Sequence, residues 1–267
     1  MIPIGDSNRR YTTPWVTYAL IVLNFVAFLY TVSLPSTPEV VGQNRRGEDL
    51  VEVHTDLPDC YGLETVDTEA DRFLCRWAFQ PAEFFDSVTG ATPATGSERW
   101  FAVAAIVTAI FLHGGWLHIL GNMLFLWVFG DNIEDRLGHA TYLLFFLMAG
   151  VVASFIQGAL APDSVVPVLG ASGAVAGVLG AYLVWFPGAT VRVVIPIFVL
   201  IFIPIPIPAW IMIGLWFAQN LLSGYATVAS TAAEAEQGVA WFAHIGGFLF
   251  GMAAAWLVGR RPQRGYR

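Results

Sequence analysis

Long apolar stretches with almost no charge most limit what this chain of 267 residues can fold into. A helix needs about 20 mostly apolar residues to cross the hydrocarbon core of a bilayer, which is about 30 Å thick. Five or six segments qualify, in a chain that is 56% apolar and only 12% charged. A soluble fold needs more charge than this to cover its surface. The sequence therefore predicts an all-α polytopic membrane protein.

The predicted spans divide the chain into a membrane core and one large loop. Residues 1–13 form an N-terminal segment, residues 14–32 the first span, and residues 33–111 a loop crowded with acidic side chains. Residues 112–258 hold five further spans, and residues 259–267 form a basic tail. Those five spans are placed near 112–129, 142–160, 170–186, 208–223 and 239–258. The predicted fold is a six-helix bundle.

Two apolar segments are predicted not to cross the membrane. Residues 101–111 are assigned to an interfacial helix because a long polar loop precedes them, and the alternative is a seventh span. Residues 193–203 are too few for a span and are placed along the membrane face. Proline alternates with isoleucine from Pro204 to Pro208, which no α-helix tolerates, so the fifth span is predicted to begin near Pro208.

Arginine placement predicts the orientation, since short cytoplasmic loops carry the excess of basic residues. The short loops 161–169 and 224–238 contain no Arg, whereas the opposite side holds Arg9, Arg10, Arg136, Arg192, Arg260, Arg261, Arg264 and Arg267. Both termini are therefore assigned to the cytoplasm of a multi-pass cell-membrane protein. The 33–111 loop then lies outside, where its two cysteines, Cys60 and Cys75, are expected to form a disulfide; two unpaired thiols are the alternative.

A few polar side chains lie inside the predicted spans, where they are costly and therefore candidate functional groups. His118 and Asn122 are four residues apart and share a helix face. Ser172 begins the fourth span and His244 lies in the sixth. His113 is about 140° from His118 on an ideal helix, and it is assigned to tying down the loop where the span begins.

Small residues flank the serine and follow the last histidine: Gly170, Gly173, Gly247 and Gly251. Such residues let helix backbones approach closely, so they predict tight contact between the fourth and sixth spans. That contact brings Ser172 to His244. Each pattern alone has a plain structural explanation, either helix packing or a hydrogen-bonded core residue.

Together these residues supply the parts of an acyl-transfer site. A serine hydroxyl is a weak nucleophile until a base takes its proton, which assigns Ser172 and His244 as nucleophile and base. Donors from His118, Asn122 and the Ser172 backbone N–H are predicted to hold the developing oxyanion. No carboxylate is placed to complete a triad, so a dyad is predicted.

At these residues the sequence resembles the rhomboid family of intramembrane serine proteases. Residues 113–122 match the family's HxxxxHxxxN motif, residues 170–173 its GxSG, and residues 243–251 its AHxxGxxxG. Glu134-Asp135-Arg136 resembles the family's ExR in the second loop. The likeness runs from about Leu112 to Gly251.

The resemblance implies a six-helix fold that cleaves single-span membrane proteins in or near the span, with no cofactor and no metal. A helical substrate must unwind first, because its peptide bonds are hydrogen-bonded and shielded. Two features depart from the family. The order of its Trp-Arg pair is reversed at Arg76-Trp77 and Arg99-Trp100, and the aromatic residue that often supports the histidine is Ala176. What orients His244 stays open.

Other functions fit the sequence less well. A net charge of −7 without a basic patch disfavours nucleic-acid binding. A small transporter is disfavoured because no charged residue occupies the middle of a predicted span. A non-catalytic rhomboid-like protein that binds membrane clients is a further alternative, although inactive relatives usually lack the serine or the histidine. The sequence names neither the substrate nor the oligomeric state.

Overall fold

The computed structural model describes residues 1–36, 40–43, 49–51, 68–91, 96–198, 201–229 and 239–259. Within these ranges the chain forms mainly helices, which confirms the all-α polytopic membrane fold. The helices are α1 (Trp15–Ser33), α2 (Glu69–Trp77), α3 (Pro81–Thr89), α4 (Gly96–Thr108), α5 (Trp116–Leu137), α6 (His139–Leu160), α7 (Ser172–Trp185), α8 (Ala209–Ala229) and α9 (Trp241–Val258). The strands are β1 (Ile2–Asp6), β2 (Val40–Gln43), β3 (Asp49–Val51), β4 (Thr190–Phe198) and β5 (Ile201–Pro208).

Helix length and composition identify the membrane-crossing candidates. Among the described residues, α1, α6 and α9 are long and apolar enough to cross a bilayer. A fourth crossing results if Gly96–Phe111 and α5, bent by 75° relative to each other, count as one broken span, and α7 is apolar but shorter. The total of six spans stays a prediction.

Helix α1 shows the side-chain distribution expected in lipid. Its buried residues include Thr17, Asn24 and Thr31, spaced along one face, whereas Val22 and Val26 are exposed. The polar groups thus face the helix bundle beside Leu20 and Phe28, whereas the outward face is apolar, unlike the polar outer face of a soluble helix. This pattern supports placing α1 in the membrane.

Contact between α7 and α9 is the closest in the bundle, because glycine lies wherever the two backbones meet. A Cβ added to Gly247 would lie 2.1 Å from the carbonyl oxygen of Gly173, and one added to Gly251 would lie 1.9 Å from that of Gly177. A Cβ on Gly180 would likewise lie 2.1 Å from the Phe248 oxygen. Residue numbers rise together along both helices, so the two helices run parallel.

On its other side, α7 packs against alanines of α6. A Cβ on Gly173 would lie 2.5 Å from the Ala153 Cβ, and one on Gly177 would lie 2.6 Å from the Ala149 Cβ. Every residue from Gly173 to Tyr182 is buried. Helix α7 therefore lies in the centre of the bundle, enclosed by its neighbours.

A polar cluster at the C-terminal end of α5 ties the two ends of the chain together. The Glu134 carboxylate accepts from the backbone N–H groups of Val16 and Thr17, at 2.9 and 2.7 Å, and so caps the N-terminus of α1. Asp135 accepts from the backbone N–H of Thr12 at 2.8 Å. Arg136 donates to the Gly259 carbonyl at 3.4 Å and stacks over Trp185, an α7 residue. The first and last described segments therefore meet at the same end of the bundle.

These contacts correct the position of the ExR residues. The sequence placed them in the second loop after a span of 112–129, whereas the helix begins at Trp116 and continues to Leu137. The span was predicted to end before the charged residues. Their charges are instead satisfied by the N-terminal segment and the end of α9, so the helix extends through them.

The prolines of residues 204–208 lie in strand β5. A sheet with the order β1-β4-β5 includes most of residues 193–203, which were expected to lie along the membrane face, and β5 is one of its two edge strands. Successive prolines are two residues apart, so all of them place their missing N–H on the outer side of β5. An edge without donors resists pairing with another strand. Helix α8 then begins at Ala209, one residue after the predicted start.

The 33–111 loop contains helices α2, α3 and α4 within its described part. The predicted interfacial helix of residues 101–111 corresponds to α4 and the following 3₁₀ turn at Ala109–Phe111. Helix α4 packs against α2 through Trp77 and Phe101, whose ring centroids are 5.3 Å apart. Cys75 on α2 is buried and bonded rather than free. Cys60 lies outside the described residues, and the Cys60–Cys75 pairing stays a prediction.

We predict that Gly251→Ala lowers the melting temperature in detergent, because the added methyl group would overlap the Gly177 carbonyl and force α9 away from α7. Overpacking of this kind costs about 1–3 kcal/mol. Gly214→Ala on α8 is the matched control, since a Cβ there meets nothing within 4 Å and alanine favours the helix. Equal changes in melting temperature for the two variants would contradict the packing described here.

Candidate active site

The segment before α7 is shaped by Gly170. Its φ of 121° is accessible mainly to glycine, and its N–H donates to the Ala109 carbonyl at 2.8 Å. A Cβ at this position would lie 2.7 Å from the His118 ring. Glycine is therefore required twice, once for the backbone angle and once for the close approach of His118.

Ser172 is the first residue of α7 and is only partly buried. The backbone N–H groups of a helix's first turn have no intrahelical acceptor, and they lie at the positive end of the helix dipole. Ser172 therefore lies at the N-terminus of α7, at the edge of the buried core, with its backbone N–H free of an intrahelical acceptor.

His244 lies in the first turn of α9 and is 8% exposed. The residue before it, Ala243, has its carbonyl oxygen 3.7 Å from a Cβ added to Gly173, which follows Ser172. The Ala243 N–H also binds the Gln157 side chain of α6 at 3.2 Å, which holds the start of α9 in place. Because α7 and α9 run parallel, their first turns lie at the same end. The structure therefore brings the segments carrying Ser172 and His244 together.

Three residues surround the His244 ring. The Nδ1 atom of His244 lies 2.6 Å from Asn220 Oδ1 on α8. The Trp216 ring, also on α8, is tilted 34° to the imidazole at a centroid distance of 5.8 Å, and Trp241 meets it edge-on at 6.1 Å. Two aromatic rings thus lie beside His244, although the position where the family often has an aromatic residue is Ala176.

Asn220 was missed from the sequence, although a signal existed. It is an amide side chain inside the predicted fifth span, and a polar group there is a candidate functional residue for the same reason as His118 or Asn122. Nothing in its spacing joins it to a motif. Only the packing of α8 against α9 reveals its partner.

His113, His118 and Asn122 form one cluster, which corrects the separation of His113 from the other two. Asn122 Nδ2 lies 3.0 Å from His113 Nε2, and the rings of His113 and His118 are 5.0 Å apart. The 140° separation assumed one continuous helix, but α5 begins only at Trp116. His113 lies in the bend before it, is 1% exposed, and reaches back to Asn122.

This cluster lies against the segment that leads to the serine. His118 touches Gly170, and the Asn122 amide nitrogen lies 3.7 Å from a Cβ placed there. One Asn122 N–H is used by His113, which fixes the amide and leaves its second N–H for another acceptor. Two side-chain donors therefore face the loop that carries Ser172.

The described ranges contain no group of three or more His, Cys, Asp or Glu side chains arranged to hold a metal ion. The polar groups near Ser172 are imidazoles, amides and backbone N–H groups. This donor set suits an acyl-transfer reaction that passes through an oxyanion.

Comparison with known proteins identifies the family. The Rhomboid domain model matches residues 100–261, which is more than half of the chain, so the chain belongs to the rhomboid family. The matched range encloses the predicted core of residues 112–258. Membership supports a multi-pass membrane protein.

Individual relatives are similar at low identity. RHOMBOID-like protein 2 of Arabidopsis thaliana is 26% identical over 98% of this chain and 72% of its own length. The mitochondrial RHOMBOID-like protein 6 of the same plant is 27% identical over 67% of this chain and 54% of its own length. Rhomboid protein 1, mitochondrial, of Saccharomyces cerevisiae is 29% identical over 60% of this chain and 43% of its own length. This chain thus spans about half the length of several of these relatives.

We predict that His118→Ala and Asn122→Ala each lower kcat for cleavage of a reporter by about 10²–10³, with little change in KM. The melting temperature is expected to change little for His118→Ala and to fall for Asn122→Ala, which leaves the buried His113 Nε2 without its donor. An oxyanion donor meets charge that exists only in the transition state, so its loss slows the chemical step rather than weakening binding. The measurement is steady-state cleavage in liposomes, alongside thermal unfolding of each variant.

His113 supplies the control for this prediction. His113→Ala removes the partner of Asn122 and is expected to lower both the rate and the melting temperature, whereas His113→Gln keeps an acceptor and is expected to restore part of the rate. Rate losses that only follow stability losses across these variants would show that the cluster joins helices and does not hold an oxyanion.

Proposed function

We propose that this chain is an intramembrane serine endopeptidase in which Ser172 is the nucleophile and His244 the general base. The observation that carries the proposal is the parallel, glycine-mediated contact of α7 and α9, which places the first turns of both helices side by side. A serine and a buried histidine on those two turns are the minimum for acyl transfer.

The reaction follows from the groups present. His244 Nε2 takes the Ser172 proton as the hydroxyl oxygen attacks the scissile carbonyl, and the tetrahedral intermediate collapses when His244 returns the proton to the leaving amine. Water then attacks the acyl-enzyme by the same steps in reverse. The Ser172 N–H, together with His118 and Asn122, donates to the oxyanion in both stages.

The length of α7 sets the depth of the site. Its 14 residues make a helix of about 21 Å, shorter than the roughly 30 Å hydrocarbon core. The C-terminal end of α7 lies with the polar cluster of α5, at the end where the first and last described segments meet. If that end is cytoplasmic, as the arginine distribution predicts, Ser172 lies several ångströms below the outer membrane surface.

This depth determines the substrate class we propose. A peptide bond reaching Ser172 belongs to a membrane-embedded or juxtamembrane segment, and single-span proteins supply such segments without a bundle around them. The bond must leave its helix before attack, so helix-breaking residues near the site favour cleavage. We place the enzyme in the cell membrane with its large acidic loop outside.

We predict that Ser172→Ala and His244→Ala each abolish cleavage of a single-span reporter in liposomes, because either loss removes most of the chemistry of a nucleophile–base pair. Ser87→Ala is the control, since Ser87 is a serine on α3, outside the candidate site. Melting temperatures of all three variants are expected to stay close to that of the parent.

Two results would contradict the proposal. Substantial proteolysis by purified Ser172→Ala would exclude Ser172 as the nucleophile. Tight binding of the reporter by the parent without any cleavage would favour the non-catalytic alternative, a protein that binds membrane clients.

A further inference from the structure

Asn220 makes two side-chain hydrogen bonds that together fix its orientation. It is 2% exposed and lies on α8, facing α9. Its Nδ2 donates to the Trp216 carbonyl one turn earlier at 2.7 Å, and its Oδ1 lies 2.6 Å from His244 Nδ1. Both polar atoms of a buried amide are thus used, one by its own helix and one by the histidine.

The bond to Trp216 decides which amide atom faces the histidine. A backbone carbonyl only accepts, so the group beside the Trp216 oxygen must be the NH₂ of the amide. The other end, Oδ1, is then an acceptor and requires a donor from His244. The Nδ1 of His244 therefore carries the proton, and in the neutral ring Nε2 is left as the acceptor.

That tautomer is the one a base for Ser172 needs. We propose that Asn220 is a positioning residue: it accepts the Nδ1 proton of His244, holds the ring against rotation, and keeps Nε2 unprotonated towards Ser172. The inference rests on the proposed protease function. It extends the dyad predicted from the sequence to a Ser172–His244–Asn220 triad, in which the neutral third member orients the histidine and takes up no proton.

A neutral amide suits this place better than a carboxylate. A charge buried between membrane helices is costly without a partner, whereas an amide satisfies both of its ends here at no charge. The two tryptophans confine the ring by packing, but neither supplies an acceptor at Nδ1, since the indole N–H is a donor only. Asn220 is therefore the group that selects the tautomer.

The test compares two replacements of the same side chain. Asn220→Leu has similar size and no acceptor, and is expected to lower kcat by about 10- to 100-fold with KM nearly unchanged. Asn220→Asp loses the donor to Trp216 but keeps the acceptor for Nδ1, and is expected to recover most of that loss. Gln219→Leu removes an exposed amide from the same helix and is expected to leave kcat at the parental value.

The outcomes separate this inference from the proposed function. If Ser172→Ala and His244→Ala abolish cleavage but Asn220→Leu cleaves at the parental rate, the positioning role is wrong and the protease assignment stands. If Asn220→Asp is as slow as Asn220→Leu, the bond to Trp216 matters and the acceptor does not, which also overturns the inference. If Ser172→Ala still cleaves, the proposed function itself fails.

Discussion

The direct backbone contact between α7 and α9 is the constraint on which the rest of the structure depends. Glycines remove every side chain that would separate the two helices, and the alanines of α6 close the opposite side of α7 in the same way. Close approach replaces the hydrophobic driving force that is missing inside a membrane. Because the contact begins at the first turns, it holds the segments that carry Ser172 and His244 next to each other.

A second set of interactions holds the opposite end of the bundle. The Glu134-Asp135-Arg136 sequence ties α1, the N-terminal segment and the end of α9 to α5 through charge-assisted hydrogen bonds. These polar bonds lie where α7 and α9 end, and Trp185 joins them by donating to the Ala255 carbonyl. The polar cluster therefore holds the C-terminal ends of α7 and α9 together. The glycine contacts keep the same two helices close along their length as far as the candidate site.

The sequence was sufficient to predict elements that have a local boundary signal or a repeated residue spacing. Pro14 and the apolar run after it located α1, and the glycine spacing of residues 170–180 and 247–251 predicted the α7–α9 contact. Predictions from the sequence were wrong where contacts with distant parts of the chain determine the structure. Nothing local shows that Glu134 finds its partners at the start of α1, so the second span was ended too early.

Two site residues show the same limit. His113 was separated from His118 by a helical-wheel argument, which the bend before Trp116 invalidates. Asn220 carries no motif, and its partner lies 24 residues away on another helix. Long-range packing assembles both contacts. Sequence spacing predicts side-chain neighbours only within one regular element.

The central claim is that the α7–α9 contact makes Ser172 a nucleophile activated by His244. The most direct measurement is mass-spectrometric mapping of the adduct formed by a serine-directed fluorophosphonate on the purified protein in detergent. The account predicts one adduct, on Ser172 in the parent, and loss of that adduct in His244→Ala under the same conditions. An adduct on a different residue, or equal modification of Ser172 with and without His244, would contradict it.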